Sequence, residues 1–291
     1  MTTYGNLFQR NQLAFTVYTP DAVQGHLIGN LDHHIQQETG LMPGFRKWIR
    51  HDVVSLTEFY GGEITEEKKT QTIHDYENVP LENVQYGHLF ARFIITGYCL
   101  LTIWQGDAAI EKLLDVKGKT NPAESPTNTI RGSFWCDNAI CNLTHCSDDS
   151  TDAHRELSVL KLTNIFEQEA ITAPLFPPEK DPRPFISHSA IYITAQLVNR
   201  LLLNQSFESI PVSRLESHDS KENMWHLTNA LEAVRQNYPD TEVSHFIQNY
   251  LEGDFVAVAE TLQKLPVSRW EELIIQCGTI TRERWNAMRS S

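Results

Sequence analysis

Three short segments between residues 121 and 148 contain the side chains with the clearest potential for chemistry. They cover residues 121–123, 129–132 and 142–148, and the third contains a histidine, His145. Histidine suits nucleophilic phosphoryl transfer, because neutral imidazole is basic near pH 7 and its phosphoramidate is high in energy. A histidine of this kind needs a group that orients its second ring nitrogen, and donors that surround the incoming phosphates. His145 is therefore a candidate nucleophile.

Four ordered blocks of sequence resemble the nucleoside diphosphate kinase family. Three of them are the segments above, which read Asn-Pro-Ala, Thr-Ile-Arg-Gly and Asn-x-x-His-x-Ser-Asp. The fourth, residues 20–24 followed by 27–29, is similar to the family's Lys-Pro-Asp-Gly-Val-Gln and Leu-Ile-Gly motifs. Glu156 follows His145 by eleven residues, as the family's glutamate does. The resemblance covers residues 12–170, a little over half of the chain.

The resemblance implies an enzyme that moves the γ-phosphate of a nucleoside triphosphate to a nucleoside diphosphate through phospho-His145. It also implies that Glu156 orients the imidazole and that Tyr60 lies beside it, which completes the catalytic group. Mg²⁺ would arrive with the nucleotide, and no metal site formed by the protein is expected. Family members assemble into hexamers or tetramers, so the resemblance includes a homo-oligomer among the expected states.

The resemblance further implies a set of nucleotide-binding residues, which divide by the part of the nucleotide that they contact. They are Thr120, Arg131 and Lys119 for the phosphates, Asn142 for the ribose, Tyr86 and Phe90 for the base, and Ser147 in the turn after the histidine. Plainer interpretations stay open for several of these residues. Arg131 could be a structural ion-pair partner, Tyr60 and Tyr86 could be core aromatics, and Glu156 could be a solvated helix residue.

Two positions depart from the family pattern where it has cations that contact phosphate. Thr19 stands in place of a lysine before Pro-Asp, and Leu114 stands in place of an arginine. Each change removes a charge-assisted contact worth about 1.5–3 kcal/mol. Lys112, Lys117 and Lys119 are candidate replacements, and Lys117 and Lys119 are favoured because they precede Thr120. One alternative is therefore a nucleotide-binding pseudokinase, a regulatory module with weak or no turnover whose helical extension binds a partner protein. Another is a different phosphotransfer or nucleotidyl chemistry with a protein target.

A group of Cys136, Cys141, Cys146 and His145 raises zinc binding as a further alternative. Structural zinc sites typically use short Cys-x2-Cys knuckles. Here four residues separate each cysteine from the next, and His145 is adjacent to Cys146. The spacing therefore disfavours zinc.

The charge and composition of the chain exclude several classes of function. Its 291 residues include 24 Lys and Arg against 37 Asp and Glu, a net charge of −13. Nucleic acid and anionic membranes bind basic surfaces, so we expect neither partner. The longest apolar stretch, residues 93–104, is too short to span a membrane. Five irregularly spaced cysteines, with no signal sequence at the start, predict reduced thiols and a cytoplasmic protein.

The order of predicted elements indicates an α+β fold for the first half of the chain. Strand patterns cover residues 13–18, 45–56 and 98–104, and a short extended segment covers 140–144. Helical spacing covers residues 22–38, 57–60, 89–96, 108–114 and 152–166. A β-α-β-β-α-β order predicts a ferredoxin-like α/β sandwich of the nucleoside diphosphate kinase type, with an antiparallel sheet in one layer and helices in the other.

Proline content divides the chain into two predicted domains. Residues 173–184 hold five prolines in twelve residues, a density that prevents regular structure and predicts a linker. Residues 1–172 would form the kinase-like domain, with an insertion near 61–83, and residues 185–291 an all-α region. Helical patterns in that region cover residues 191–203, 223–238, 241–251, 255–265 and 267–277. The all-α region is where we expect a protein partner to bind.

Overall fold

The computed structural model describes residues 2–62, 79–180, 186–203, 210, 212, 217 and 219–289. The chain divides into two compact units, and each unit is assembled from separate stretches of sequence. The first takes in Met1–Val79, Ala91–Gly118 and Leu143–Pro182, and the second takes in Pro80–Phe90, Lys119–Asn142 and Arg183–Ser291. The boundaries at residues 172 and 185 that the prolines predict stay a prediction.

Among the described residues, four antiparallel strands form one sheet in the first unit. They are β1 (Leu13–Tyr18), β2 (Met42–Ile49), β3 (Cys99–Gln105) and β4 (Thr144–Cys146), in the order β2-β3-β1-β4. Every residue of β1 is buried, because this strand lies between two neighbours and is rich in apolar side chains. The short strand β4 pairs with β1, with His145 opposite Val17. The sheet therefore fixes the backbone of His145 at its edge.

Helices connect these strands in the order expected of the fold. They are α1 (Tyr4–Gln9), α2 (Pro20–Gln24), α3 (Ile28–Thr39), α4 (Val53–Phe59), α5 (Tyr86–Ile95), α6 (Ala109–Lys117) and α7 (Ser150–Val159). Helix α6 packs against β1 and α3, and α4 packs against α7. The antiparallel sheet with helices between its strands confirms the predicted ferredoxin-like α/β sandwich.

Two predicted boundaries before residue 60 are wrong. The helix predicted over residues 22–38 is two helices, because the backbone turns at Gly25 and His26, where His26 has a φ of 52°. The strand predicted over residues 45–56 ends at Ile49. Asp52 accepts a hydrogen bond from the Ser55 amide, and the Ser55 hydroxyl accepts one from the Asp52 amide. This reciprocal capping starts α4 at Val53, inside the predicted strand.

Two predictions on either side of His145 are also shifted. The extended segment expected over residues 140–144 begins at Thr144 instead, since Leu143 adopts a φ of 72° and the backbone turns there. The helix expected over residues 152–166 ends at Val159. Lys161 has a φ of 55°, and a separate 3-10 helix follows over Thr163–Glu167.

The second unit is helical. Its helices are α8 (Ala190–Leu203), α9 (Ser220–Asn237), α10 (Glu242–Glu252), α11 (Phe255–Leu262), α12 (Arg269–Ile280) and α13 (Glu283–Arg289). The first five confirm the predicted helices apart from their exact ends. The sequence does not predict α13, because the residues after Gly278 carry no apolar stripe of sufficient length. Buried Asp137 accepts hydrogen bonds from the Ser189 hydroxyl and from the backbone of Ala190 and Ile191. Residues 119–142 thus cap the start of α8.

Two predicted features fall partly outside the described residues. Most of the insertion near 61–83 does, and its described end forms a 3-10 helix over Leu81–Asn83. Residues 173–180 of the proline-rich segment contain no regular helix or strand, and residues 181–184 lie outside the description. In the described part of the chain, every helix is too short or too polar to cross a membrane.

Candidate functional site

A histidine–carboxylate pair lies at the edge of the sheet in the first unit. Nε2 of His145, on β4, is 3.0 Å from Oε2 of Glu156, on α7. The Glu156 side chain is 3% exposed, whereas the His145 imidazole is 19% exposed. Asp149 caps the start of α7 by accepting a hydrogen bond from the Asp152 amide. Strand pairing and helix capping therefore hold both partners in place.

A second donor contacts the same carboxylate oxygen. The Ser147 hydroxyl donates to Oε2 of Glu156 at 2.7 Å, and Ser147 is buried. Nη2 of Arg155 lies 3.4 Å from the other oxygen of Glu156 and donates to the Phe59 carbonyl at 3.2 Å. Ser147 and Arg155 thus contact different oxygens of the Glu156 carboxylate. The sequence predicts Ser147 in the turn after the histidine. In the structure its hydroxyl donates a hydrogen bond to Glu156.

The pairing with Glu156 determines which nitrogen of His145 can react. An ionised carboxylate offers only acceptor atoms, so Nε2 carries the proton in this contact. In the neutral ring the remaining lone pair then belongs to Nδ1. The arrangement prepares Nδ1 as a nucleophile, and it stabilises the positive charge that the ring develops when Nδ1 forms a bond.

Aromatic rings surround the imidazole. The Tyr60 and Phe59 rings each lie 5.2 Å from the His145 ring, centroid to centroid, in edge-to-face geometry. Tyr60 is 45% exposed, while Phe59 is buried. His51 packs edge-on against Phe59, and its Nδ1 has no hydrogen-bond partner among the described residues. Burial lowers the pKa of His51 to about 4, so this histidine is neutral near pH 7.

Thr19, at the position of the family's lysine, forms a hydrogen bond within the protein. The Thr19 hydroxyl donates to Oδ1 of Asp21 at 2.5 Å, and Thr19 is only 4% exposed. The other oxygen of Asp21 accepts from the Leu143 amide at 3.0 Å. Asp21 therefore ties the start of α2 to the turn that precedes β4. Lys117, one predicted replacement for the missing cations, donates to the Cys146 carbonyl at 3.4 Å.

The second unit brings several predicted nucleotide-binding residues together. Nη2 of Arg131 donates to Oδ1 of Asn142 at 3.2 Å, and Nε donates to the Asn142 carbonyl at 3.3 Å. Nδ2 of Asn142 donates to the carbonyls of Thr120 at 3.1 Å and Ala139 at 2.8 Å. Arg131 and Asn142 are both buried. This network fixes Thr120 beside Asn142.

The predicted base-binding aromatics form a stack in the same unit. The Tyr86 and Phe90 rings are 6.2 Å apart and almost parallel, with an interplanar angle of 7°. The Tyr86 hydroxyl donates to the Ala139 carbonyl at 2.8 Å, and burial raises its pKa to about 12. Tyr86 is nevertheless 41% exposed, so part of its ring faces solvent. It lines a cavity of about 510 Å³ that Lys119 and Thr120 also line.

The structure thus distributes the predicted site residues over the two units. The first unit brings together His145, Glu156, Tyr60 and Ser147; the second holds Thr120, Arg131, Asn142, Tyr86, Phe90 and Lys119. Phe59 and Asp21 were not predicted. Phe59 precedes Tyr60 in a helical stretch, and Asp21 belongs to the Pro-Asp motif, so both carried a signal in the sequence.

No three His, Cys, Asp or Glu side chains in the described ranges converge to hold a metal ion. All five cysteines lie within those ranges, and each is buried and outside any disulfide. The zinc alternative at Cys136, Cys141 and Cys146 therefore has no support in the geometry.

The chain is similar to known families, curated proteins and solved structures. The family model described as nucleoside diphosphate kinase matches residues 12–165. Nucleoside diphosphate kinase 3 of Homo sapiens is 28% identical over 164 residues, which cover 55% of this chain and 85% of that protein. A nucleoside diphosphate kinase of Sulfurisphaera tokodaii is 27% identical over 164 residues, which cover 56% of this chain and 95% of that protein. The solved nucleoside diphosphate kinase of Encephalitozoon cuniculi aligns with 60% of this chain and 99% of its own, at 20% identity and a TM-score of 0.41.

The matched residues include both edge strands of the sheet, the histidine–carboxylate pair and the stacked aromatics. They amount to more than half of the chain. On that match, the protein belongs to the nucleoside diphosphate kinase family.

Proposed function

We propose that the protein is a nucleoside diphosphate kinase-type phosphotransferase that moves the γ-phosphate of a nucleoside triphosphate to a nucleoside diphosphate through phospho-His145. The observation that carries this proposal is the 3.0 Å contact between Nε2 of His145 and Oε2 of Glu156. That contact leaves Nδ1 with the lone pair that a phosphate acceptor needs. The family of the chain supports the same chemistry.

The proposed reaction has two half-reactions that balance. In the first, Nδ1 attacks the γ-phosphorus, an N–P bond forms, the P–O bond to the β-phosphate breaks, and the nucleoside diphosphate leaves with the bonding electrons. Glu156 holds the proton on Nε2 and stabilises the charge of the phosphorylated ring. In the second, an oxygen of the terminal phosphate of another diphosphate attacks the phosphorus and the N–P bond breaks, which restores neutral imidazole.

The nucleotide-binding roles follow the residue types and contacts. Thr120, Arg131 and Lys119 would contact phosphates, Asn142 the ribose, and the stacked pair Tyr86 and Phe90 the base. Mg²⁺ bound to the phosphates would neutralise part of their charge. Because no described cluster of carboxylates or imidazoles suits a resident ion, we propose that the metal arrives with the nucleotide.

A second candidate function is a nucleotide-binding pseudokinase with a regulatory role. The observation that favours it is the contact between the Thr19 hydroxyl and Asp21, since a buried threonine replaces the cation that the family pattern has at this position. In that case the helices of the second unit would bind a partner protein. A cytoplasmic location and a homo-oligomer are further parts of the proposal, which cell fractionation and sedimentation would test.

A transfer assay separates the two candidates. The protein is incubated with γ-labelled ATP, Mg²⁺ and excess CDP, and labelled CTP is separated and counted. The kinase hypothesis predicts labelled CTP from the unaltered chain and from a matched control, His226→Ala. His226 is exposed on α9. The same hypothesis predicts none from His145→Ala. Binding of ADP without formation of CTP would instead support the pseudokinase.

A further inference from the structure

The cavity beside Tyr86 has a wall that the family match does not include. One side consists of Tyr86, Lys119 and Thr120, and the other includes Thr281 and Arg284 from the C-terminal end of the chain. The family model ends at residue 165, so both of the latter lie outside it. The cavity has a volume of about 510 Å³. A pocket of this size falls within the range that small-molecule ligands occupy.

Buried contacts hold the C-terminal wall in place. The Trp285 indole donates to the Asp137 carbonyl at 2.6 Å and packs edge-on against Trp225. Arg282 is buried and donates to the Thr228 hydroxyl at 2.8 Å. Because buried polar groups that are hydrogen-bonded rigidify their surroundings, α13 presents Arg284 from a fixed position.

The charged groups of the cavity leave Arg284 available for an anion. Its side chain is 70% exposed, and Nε lies 3.9 Å from Oε1 of Glu124, which is beyond hydrogen-bond distance. An exposed ion pair of this kind is worth little. Lys119 is a second exposed cation of the same cavity, and Glu124 and Glu283 are its acidic residues. The Thr281 hydroxyl donates to the Cys277 carbonyl at 2.8 Å, so the donors for a phosphate are the Arg284 guanidinium, the Lys119 ammonium and the Thr120 hydroxyl, groups that phosphate oxygens accept from.

We propose that Arg284 binds the phosphates of the nucleotide whose base lies against Tyr86, so that the C-terminal extension supplies part of the substrate site. The inference rests on the proposed function, because it assigns a further residue to the same nucleotide. It gives the extension a direct role in binding phosphates. The weak, exposed pair with Glu124 is the contact that a bound phosphate would replace.

Calorimetric titration of the 291-residue chain with ADP and Mg²⁺ tests the assignment. Arg284→Ala should weaken ADP binding about tenfold, the loss of one charge-assisted contact at an exposed site, and Arg284→Lys should recover part of that loss. Glu124→Gln should bind ADP at least as tightly as the unaltered chain, because it removes the competing carboxylate. Adenosine, which has no phosphate, should bind equally to all of these variants. Arg269→Ala is the matched control, since Arg269 is exposed on α12 and does not line the cavity.

Several results would overturn the inference. These are equal ADP binding by Arg284→Ala and the unaltered chain, weaker ADP binding by Glu124→Gln, or a loss of adenosine binding that matches the loss of ADP binding. If His145 is phosphorylated by ATP while Arg284→Ala binds ADP normally, the inference fails and the proposed function stands. If Arg284→Ala weakens ADP binding but no phosphate transfer occurs, the inference stands and the proposed function fails. Absence of ADP binding by the unaltered chain would overturn both.

Discussion

Oε2 of Glu156 lies 3.0 Å from Nε2 of His145 and thereby decides which ring nitrogen is free to react. The carboxylate is buried, whereas the imidazole is partly exposed. A proton held on Nε2 leaves the lone pair on Nδ1, and in the proposed reaction the negative charge of Glu156 would favour the cationic ring formed by phosphorylation. In the proposed reaction Glu156 is therefore a positioning residue.

Replacement of Glu156 by glutamine should slow phosphate transfer about 100-fold, the lower end of the range for losing a catalytic proton-holding contact. Glutamine keeps the size of the side chain but offers either a neutral acceptor or a donor to Nε2. ADP binding should be unchanged, because Glu156 is not expected to touch the nucleotide. Single-turnover labelling measures the rate, and calorimetry measures the binding. Glu260→Gln, an exposed change on α11, is the control; a normal transfer rate in Glu156→Gln would contradict the assigned role.

Tyr86 should contribute to nucleotide binding through its ring and not through its hydroxyl. The hydroxyl already donates to the Ala139 carbonyl, and its raised pKa of about 12 keeps it neutral. Tyr86→Phe should therefore bind ADP within about twofold of the unaltered chain, whereas Tyr86→Ala should bind about tenfold more weakly, as expected for loss of one stacked base. Equilibrium titration compares the variants with Tyr98→Ala, an exposed aromatic control. Equal affinities for Tyr86→Ala and Tyr86→Phe would argue against base stacking at this position.

Thr19→Val should reduce stability without affecting nucleotide binding. Valine has nearly the same shape as threonine but removes the hydroxyl that donates to the fully buried carboxylate of Asp21. The free energy of unfolding should fall by about 1–3 kcal/mol, the cost of leaving a buried charged acceptor with one donor fewer. Urea unfolding measures the change, and Thr163→Val, at an exposed position, serves as control. Weakened ADP binding in folded Thr19→Val would show instead that the hydroxyl contacts the nucleotide.

His51 should make stability depend on pH between about 6.5 and 4. Burial lowers its pKa in the folded protein to about 4, with a smaller contribution from the nearby charge of His145 and an opposing one from Asp52. The unfolded chain therefore binds the proton first as the pH falls, so stability is full above pH 6.5 and declines down to pH 4. This histidine accounts for a loss of about 3 kcal/mol.

Urea unfolding at pH 7 and pH 4 tests this dependence. Between pH 7 and pH 4 the free energy of unfolding should fall less in His51→Leu than in the unaltered chain. The difference between the two falls is the contribution of His51. The other titrating groups are the same in both proteins, so their contribution cancels. The same difference in both proteins would place the proton uptake elsewhere.

The sequence predicted which residues lie together at this site better than it predicted the local backbone. His145 and Glu156 follow from the motif and its spacing of eleven residues, and the structure brings their side chains together. The start of α4 was missed because alternation over residues 45–56 resembles a strand, whereas the capping by Asp52 and Ser55 decides the local conformation. The turn at Leu143 was missed for a related reason, since a positive φ at a leucine has no signature in composition.

Long-range contacts account for most of the other features that the sequence did not predict. The bond from Ser147 to Glu156 and the bond from Thr19 to Asp21 depend on how β4, α7 and α2 are placed, which periodicity does not report. The contribution of Arg284 to the cavity beside Tyr86 joins residues almost 200 positions apart. Such pairs become visible only when the chain is folded.

Phosphorylation of His145 tests the central claim most directly. The protein is incubated with γ-labelled ATP and Mg²⁺, and the labelled enzyme is digested and examined for its phosphorylated nitrogen. We expect an acid-labile, base-stable phosphate on Nδ1 of His145, absent from His145→Ala and discharged by added CDP. No label under conditions where ADP binds, or a label that persists in His145→Ala, would contradict it.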